Sequence, residues 1–220
     1  MSSDQERLRN GMQAIGIEIS DQQVTSLVQY LDHLEETNRS FNLTRIPREE
    51  YVTLHLLDSL LALRAFDRSK PLRILDVGTG AGFPGVPLAA LLPHASVTLL
   101  DSTGKKVRFA AETAAACGLT NISGLHARAE DLAKQAEHRA RYDVVVSRAV
   151  AAFPKLMEWL LPLTKPGGIA LAMKGSGYES ELEGSDATLR TLKGSIEETL
   201  AVNLPGTDIT RYLIVVRKSA

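Results

Sequence analysis

The chain has 220 residues, 25 Lys and Arg against 26 Asp and Glu, a formal net charge of −1 and a hydrophobic share of 44%. That is ample apolar material for a core. It leaves no bulk positive charge to hold nucleic acid, so an RNA or DNA partner needs a local basic patch, and composition alone favours a small-molecule enzyme.

No apolar run approaches the roughly 18 residues a membrane span needs. The N-terminal MSSDQERLRN is polar and lacks a signal-peptide core. Cys117 is the sole cysteine, which excludes a disulfide framework and a cysteine-based metal site. Its setting, TAAACGL, suits a buried structural thiol at a helix end. A cytoplasmic protein is the expectation.

In chain order, residues 4–15 read as a short helix. Residues 20–36 form a stronger one, opened by a capping box of Ser20 and Gln23. Val24, Leu27, Val28, Leu31 and Leu34 then make an amphipathic stripe. Residues 38–46 read as a loop. Pro47 starts a third helix to about Phe66, with Glu49 and Glu50 in its first turn. His55, Asp58 and Ser59 share a face of it, where spacing alone favours an ordinary packed His–Asp pair.

From Leu72 strands and helices alternate. Strands are expected at 72–77, 96–101, 121–126, 142–147 and 168–174, with helices at 85–92, 104–117, 130–135 and 153–161. This repetition implies a parallel sheet with helices on both faces. A polar helix at 179–192 precedes a hairpin of strands 196–203 and 209–217 around Pro205-Gly206. A closing hairpin predicts a seven-stranded, mostly parallel sheet whose last strand is antiparallel, as in class I methyltransferases. The expected division is an N-terminal helical extension, 1–68, and one compact domain, 69–220.

The stretch LRILDVGTGAGFPG joins the first strand to the next helix. Gly80, Gly82 and Gly85 fit the dinucleotide spacing G-x-G-x-x-G, with Asp101 at a suitable distance beyond. Two residues oppose that reading. Pro84 removes an amide that a pyrophosphate would use, and Asp76 adds negative charge beside a doubly anionic group. S-adenosylmethionine fits better, with its cationic amino-acid end toward Asp76 and its ribose diol toward Asp101. The carboxyl ends of the strands, where open α/β sheets bind ligands, carry Asp76, Asp101, Arg128-Ala129-Glu130 and Ser147-Arg148.

Seven pieces of the chain resemble one family. They are FNLT (Phe41–Thr44), HLLDSL (His55–Leu60), LDVGTGAGFPGVPLA (Leu75–Ala89), LLDSTGKK (Leu99–Lys106), ARAEDL (Ala127–Leu132), DVVVSRA (Asp143–Ala149) and MKG (Met173–Gly175). Together they are similar to the bacterial small-subunit ribosomal RNA guanine-N7 methyltransferases, the RsmG family, once called glucose-inhibited division protein B.

The resemblance implies a Rossmann-like methyltransferase core, S-adenosylmethionine as cofactor, and methylation of N7 of one guanine in 16S rRNA of the small ribosomal subunit. It implies Gly78 and Phe83 against the cofactor, Asp101 on its ribose, and Ala129 and Glu130 at its adenine; Asp76 and Gly80 are assigned to the cofactor beside them. Arg148 lies beside the methionine end or the target base. Asn42, His55 and Asp58 match positions near the methyl donor and are assigned to positioning. Arg45, Lys105 and Arg128 are assigned to the RNA. No metal is expected, and a monomer is.

No nucleophile–base motif and no N/D-P-P-Y motif is present, which suits attack by a ring nitrogen that carries no proton. The competing readings are a small-molecule methyltransferase using the same cofactor and a binding protein for cell division.

Overall fold

The computed structural model describes residues 2–148 and 150–220. Ala149, the last residue of the SRA stretch, lies outside the described residues.

Helix α1 (Ser3–Ala14) opens with a capping box of Ser2 and Gln5, and α2 (Asp21–Asn38) with that of Ser20 and Gln23. In each, the serine oxygen accepts an orphan amide and the glutamine returns to the cap amide, so two unpaired donors are satisfied. The expected stripe of α2 is buried, together with Tyr30.

The third helix departs from expectation. It is a 3₁₀ turn at Arg48–Glu50, a π-helix at Tyr51–Leu57, an α turn at Asp58–Leu60 and a 3₁₀ turn at Leu61–Arg64. Side chains intrude on its carbonyl ladder: Arg148 donates to the Leu54 carbonyl at 2.8 Å and Ser59 Oγ to that of His55 at 2.5 Å. Such insertions are a recognised cause of irregular helix. Close packing adds to it, since Leu57 fills the space where a Cβ on Gly11 would stand.

The sheet comprises β1 (Arg73–Val77), β2 (Ser96–Asp101), β3 (Ile122–His126), β4 (Tyr142–Arg148), β5 (Thr164–Lys174), β6 (Gly194–Asn203) and β7 (Thr210–Lys218). Its order is β3-β2-β1-β4-β5-β7-β6. The first five strands are parallel, and β7 enters antiparallel between β5 and β6. This is the expected seven-stranded architecture. β5 begins four residues early, and Pro166-Gly167-Gly168 becomes part of it, with a register shift against β4 between Tyr142 and Val144. The expected polar helix is two short ones, Tyr178–Leu182 and Asp186–Thr191, parted where Gly184 takes φ +73°.

Strand residues alternate between two cores. Ile74, Val97, Leu99, Val144, Val146, Leu171 and Val215 face the helices α1, α2, the mixed run, Gly85–Leu91 and Gly104–Ala116. Leu75, Val77, Leu100, Val145, Ala170 and Ile214 face Ala129–Leu132, Phe153–Leu160 and Leu189. The N-terminal helices therefore share one continuous apolar layer with the sheet.

Candidate active site

The glycine-rich loop is held from below. Asp76 is completely buried at the end of β1, and its Oδ2 accepts the Gly85 amide at 2.8 Å. Burial pushes its carboxyl up to about 7, against the opposing pull of the Thr79 hydroxyl, the Gly85 amide and Arg148. Its Oδ1 has no partner among the described residues. Helix α2 holds the loop from the side: Tyr30 Oη donates to the Ala81 carbonyl at 2.8 Å. Gly82, at φ +96°, could carry no side chain, because a Cβ would lie 2.3 Å from that hydroxyl. The loop's helix begins at Gly85, immediately after Pro84.

Above the loop lies a cleft of about 470 Å³, within the range of small-ligand sites. Gly78, Gly80, Asp101, Lys106, Arg128, Ala129, Glu130, Arg148, Val150 and Trp159 contribute to its wall. Asp101 is fixed by two amides, from Gly80 to Oδ2 at 3.0 Å and from Thr103 to Oδ1 at 2.8 Å. Each carboxylate oxygen keeps acceptor capacity for a further donor.

A second cleft of about 730 Å³ adjoins the first and shares Arg148 and Val150 with it. Ser147 fixes the end of β4 here, its Oγ donating to the Val77 carbonyl at 2.7 Å. Arg148 then reaches the mixed helical run. Its Nη1 donates to Asp58 Oδ2 at 2.9 Å, and its Nη2 lies 3.4 Å from His55 Nδ1. Asp58, only 3% exposed, also binds Arg211 from β7, at 2.7 Å through Nε and 3.3 Å through Nη2.

His55 stacks on Phe83, with centroids 4.3 Å apart and planes at 11°, and its Nε2 lies 3.0 Å from Thr44 Oγ1. Burial, helped by Arg148, lowers its pKa to about 3. It is therefore neutral near pH 7, with Nδ1 toward the arginine as acceptor and Nε2–H toward Thr44.

The structure thus brings Gly78, Gly80, Asp101, Arg128, Ala129, Glu130 and Arg148 to the first cleft, and Asp58 and Arg148 to the second. Asp76 and Phe83, expected against the cofactor, lie instead beneath the loop and behind His55. Burial of both is the reason, since the loop covers Asp76 and the His55 ring covers Phe83. Asn42 and Arg45 are exposed on the loop that Asn38 ties together through Leu43 and Thr44. Lys105 sits over the Phe41 ring at 5.2 Å, while its neighbour Lys106 lines the cleft.

Sequence reasoning missed Tyr30, Lys174, Glu181 and Arg211. Arg211 had a signal: an antiparallel β7 must begin at the edge where the parallel strands end. Among the described residues no cluster of three metal-ligating side chains occurs, and no helix is long and apolar enough to cross a membrane.

Among solved structures, the fold is similar to a putative methyltransferase from Thermoplasma acidophilum, at TM-score 0.52 and 16% identity over 68% of this chain and 69% of that one. It is also similar to the ribosomal protein L11 methylase of Lactobacillus delbrueckii subsp. bulgaricus, at TM-score 0.54 and 18% identity over 80% and 81%. These likenesses bear on the fold, a class I methyltransferase fold.

Sequence relatives are nearer. Two proteins named ribosomal RNA small subunit methyltransferase G match 96% of this chain: that of Alkaliphilus oremlandii at 41% identity, covering 89% of its length, and that of Acetivibrio thermocellus at 42%, covering 87%. The family model described as GidB, rRNA small subunit methyltransferase G, matches residues 23–207. The glycine loop, the first cleft and all of the second but Arg211 fall within that match, and the chain belongs to the rRNA small subunit methyltransferase G family.

Proposed function

We propose that this chain methylates N7 of a guanine in 16S rRNA of the small ribosomal subunit, using S-adenosylmethionine. The observation that carries the reading is the pair of clefts meeting at Arg148: one is walled by a glycine loop and a fixed carboxylate, the other is larger and charged.

The first cleft fits the cofactor. Asp101 presents unfilled lone pairs for a ribose diol, and Ala129 and Glu130 form the wall for an adenine. Asp76 holds the loop from below through the Gly85 amide. When bound, the cofactor supplies an electrophilic methyl group on a sulfonium.

Guanine N7 has an in-plane lone pair and no proton, so no side chain must act as base. That suits His55, which its pKa of about 3 makes a poor proton acceptor at neutral pH. His55 and Asp58 instead hold Arg148 at the junction of the clefts. Arg148 can then donate toward O6, which guanine presents on the same edge as N7. Orientation of this kind can supply roughly 7–11 kcal/mol of the barrier. In A-form RNA that edge lies in a groove side chains cannot read, so the target is unpaired or splayed out. We place the activity in the cytoplasm, with its ribosomal substrate.

The test compares small subunits from a strain lacking this protein with those from its parent. Only the former should accept a methyl group, recovered as 7-methylguanosine after nuclease digestion. Transfer to a small metabolite and to neither RNA would overturn the proposal in favour of a small-molecule enzyme.

A further inference from the structure

The second cleft holds a carboxylate that the methyl-transfer reading leaves without a task. Glu181, in the short helix Tyr178–Leu182, lines this cleft but not the first. Its Oε2 accepts two bonds, from Lys174 Nζ at 2.5 Å and from the Phe153 amide at 2.8 Å. Lys174 is 8% exposed and donates also to the Ala151 carbonyl at 2.6 Å. Two separate segments, β5 and the start of the helix at Phe153, thus fix the glutamate head. Its Oε1 makes no hydrogen bond among the described residues, and the side chain is 34% exposed. The head is immobilised through one oxygen, and the other keeps both lone pairs free on a side chain that lines the cleft.

Among the described residues two carboxylates line this cleft, Asp58 and Glu181. Asp58 is occupied on both oxygens by Arg148 and Arg211. We infer that Glu181 is the guanine-reading residue, its Oε1 accepting from the N1–H and N2–H₂ groups of the target base. This rests on the reading of a guanine methylated at N7.

The orientation follows from the purine itself. N7 must face the wall shared by the two clefts, where Arg148 stands. The Watson–Crick edge lies across the ring from N7 and so faces the unshared part of the second cleft, where Glu181 is. Guanine offers two donors on that edge, which suit an acceptor-only carboxylate. Adenine offers a lone pair at N1 and no N2 amine, so the same oxygen would repel it. A site that hydrogen-bonds a donor rejects an analogue lacking it strongly, because its own polar group is left unpaired.

The experiment uses small subunits reconstituted with 16S rRNA carrying either guanosine or inosine at the methylated position. Inosine keeps N7, O6 and N1–H and lacks only the N2 amine. The wild-type protein should lose about ten- to a hundredfold in kcat/KM on inosine. Glu181→Ala should process the two at nearly equal rates, with unchanged affinity for S-adenosylhomocysteine. Should that variant fail to fold, Glu181→Gln keeps the shape and should narrow the discrimination severalfold. A wild-type protein indifferent to the N2 amine, or a folded Glu181 variant that discriminates as the wild type does, would overturn the inference. No transfer to guanosine by the wild type would overturn it together with the proposed function, whereas transfer blind to N2 overturns the inference alone.

Discussion

Asp58 binds Arg211 through two hydrogen bonds, of 2.7 and 3.3 Å, across 153 positions of sequence, and the same carboxylate holds Arg148 from β4. One buried anion therefore ties the N-terminal helical run to two strands. Removing one partner of such an arrangement leaves the others uncompensated, which costs up to roughly 3–5 kcal/mol. Asp58→Ala should lower the urea midpoint markedly, and Asp58→Asn less, since its amide oxygen still accepts from one arginine. Equal stability of Asp58→Ala and wild type would show the cluster to be energetically idle.

Asp76 makes stability depend on pH. Its folded pKa of about 7 lies above the roughly 3.9 of an unfolded aspartate. The folded state then holds more protons than the unfolded state between those values. The contribution to stability is present in full below about pH 4 and is lost as pH rises toward 7. Asp76→Asn keeps an acceptor for the Gly85 amide and removes the titration. Relative to wild type, the variant should gain stability steadily from pH 4 to pH 8, followed by denaturant midpoints. A constant difference across that interval would refute the assignment.

Asp101→Ala removes the carboxylate proposed for the ribose and frees the Gly80 and Thr103 amides. Charge-assisted bonds are worth about 1.5–3 kcal/mol. The dissociation constant for S-adenosylhomocysteine should rise about ten- to a hundredfold by calorimetry, with the circular dichroism spectrum retained. An unaltered constant in a protein that melts early would make Asp101 a structural residue.

The exposed cations Arg45, Lys105 and Arg128 are proposed to meet RNA phosphates. Each alanine substitution should then lower the dependence of subunit binding on log salt by about one. Arg148→Ala should behave differently, depressing kcat more than subunit affinity, because positioning counts most in the transition state. A salt slope unmoved by all three cation substitutions would place the RNA on another face.

Local chemistry made most of the fold legible before any coordinates. The Ser20–Gln23 box, the Val24–Leu34 stripe and the alternation of apolar runs with glycine turns each reflect short-range rules, and the elements they mark are present. The π-helix at Tyr51–Leu57 was not legible, because its cause is a side chain from 94 positions away seeking the Leu54 carbonyl. The site followed the same division. Asp101, Ala129, Glu130 and Arg148 stand at strand ends, where topology alone sends residues toward a crevice. Tyr30 and Glu181 act through tertiary contacts with no counterpart in local sequence. Asp76 carries a role that local sequence did not show: one oxygen of this carboxylate beside the glycine loop holds the loop's own Gly85 amide.

The insertion of β7 between β5 and β6 has a consequence for how the molecule comes into being on the ribosome. β7 is synthesised after the other six strands, yet it occupies an interior position and delivers Arg211 to Asp58. A nascent chain that has emerged only through β5 already contains the glycine loop, Asp101 and Arg148. It lacks the second cation that fixes Asp58 and the strand that shields the edge of β5. The wall of the second cleft is therefore complete only once the final hairpin has closed and Arg211 has reached Asp58.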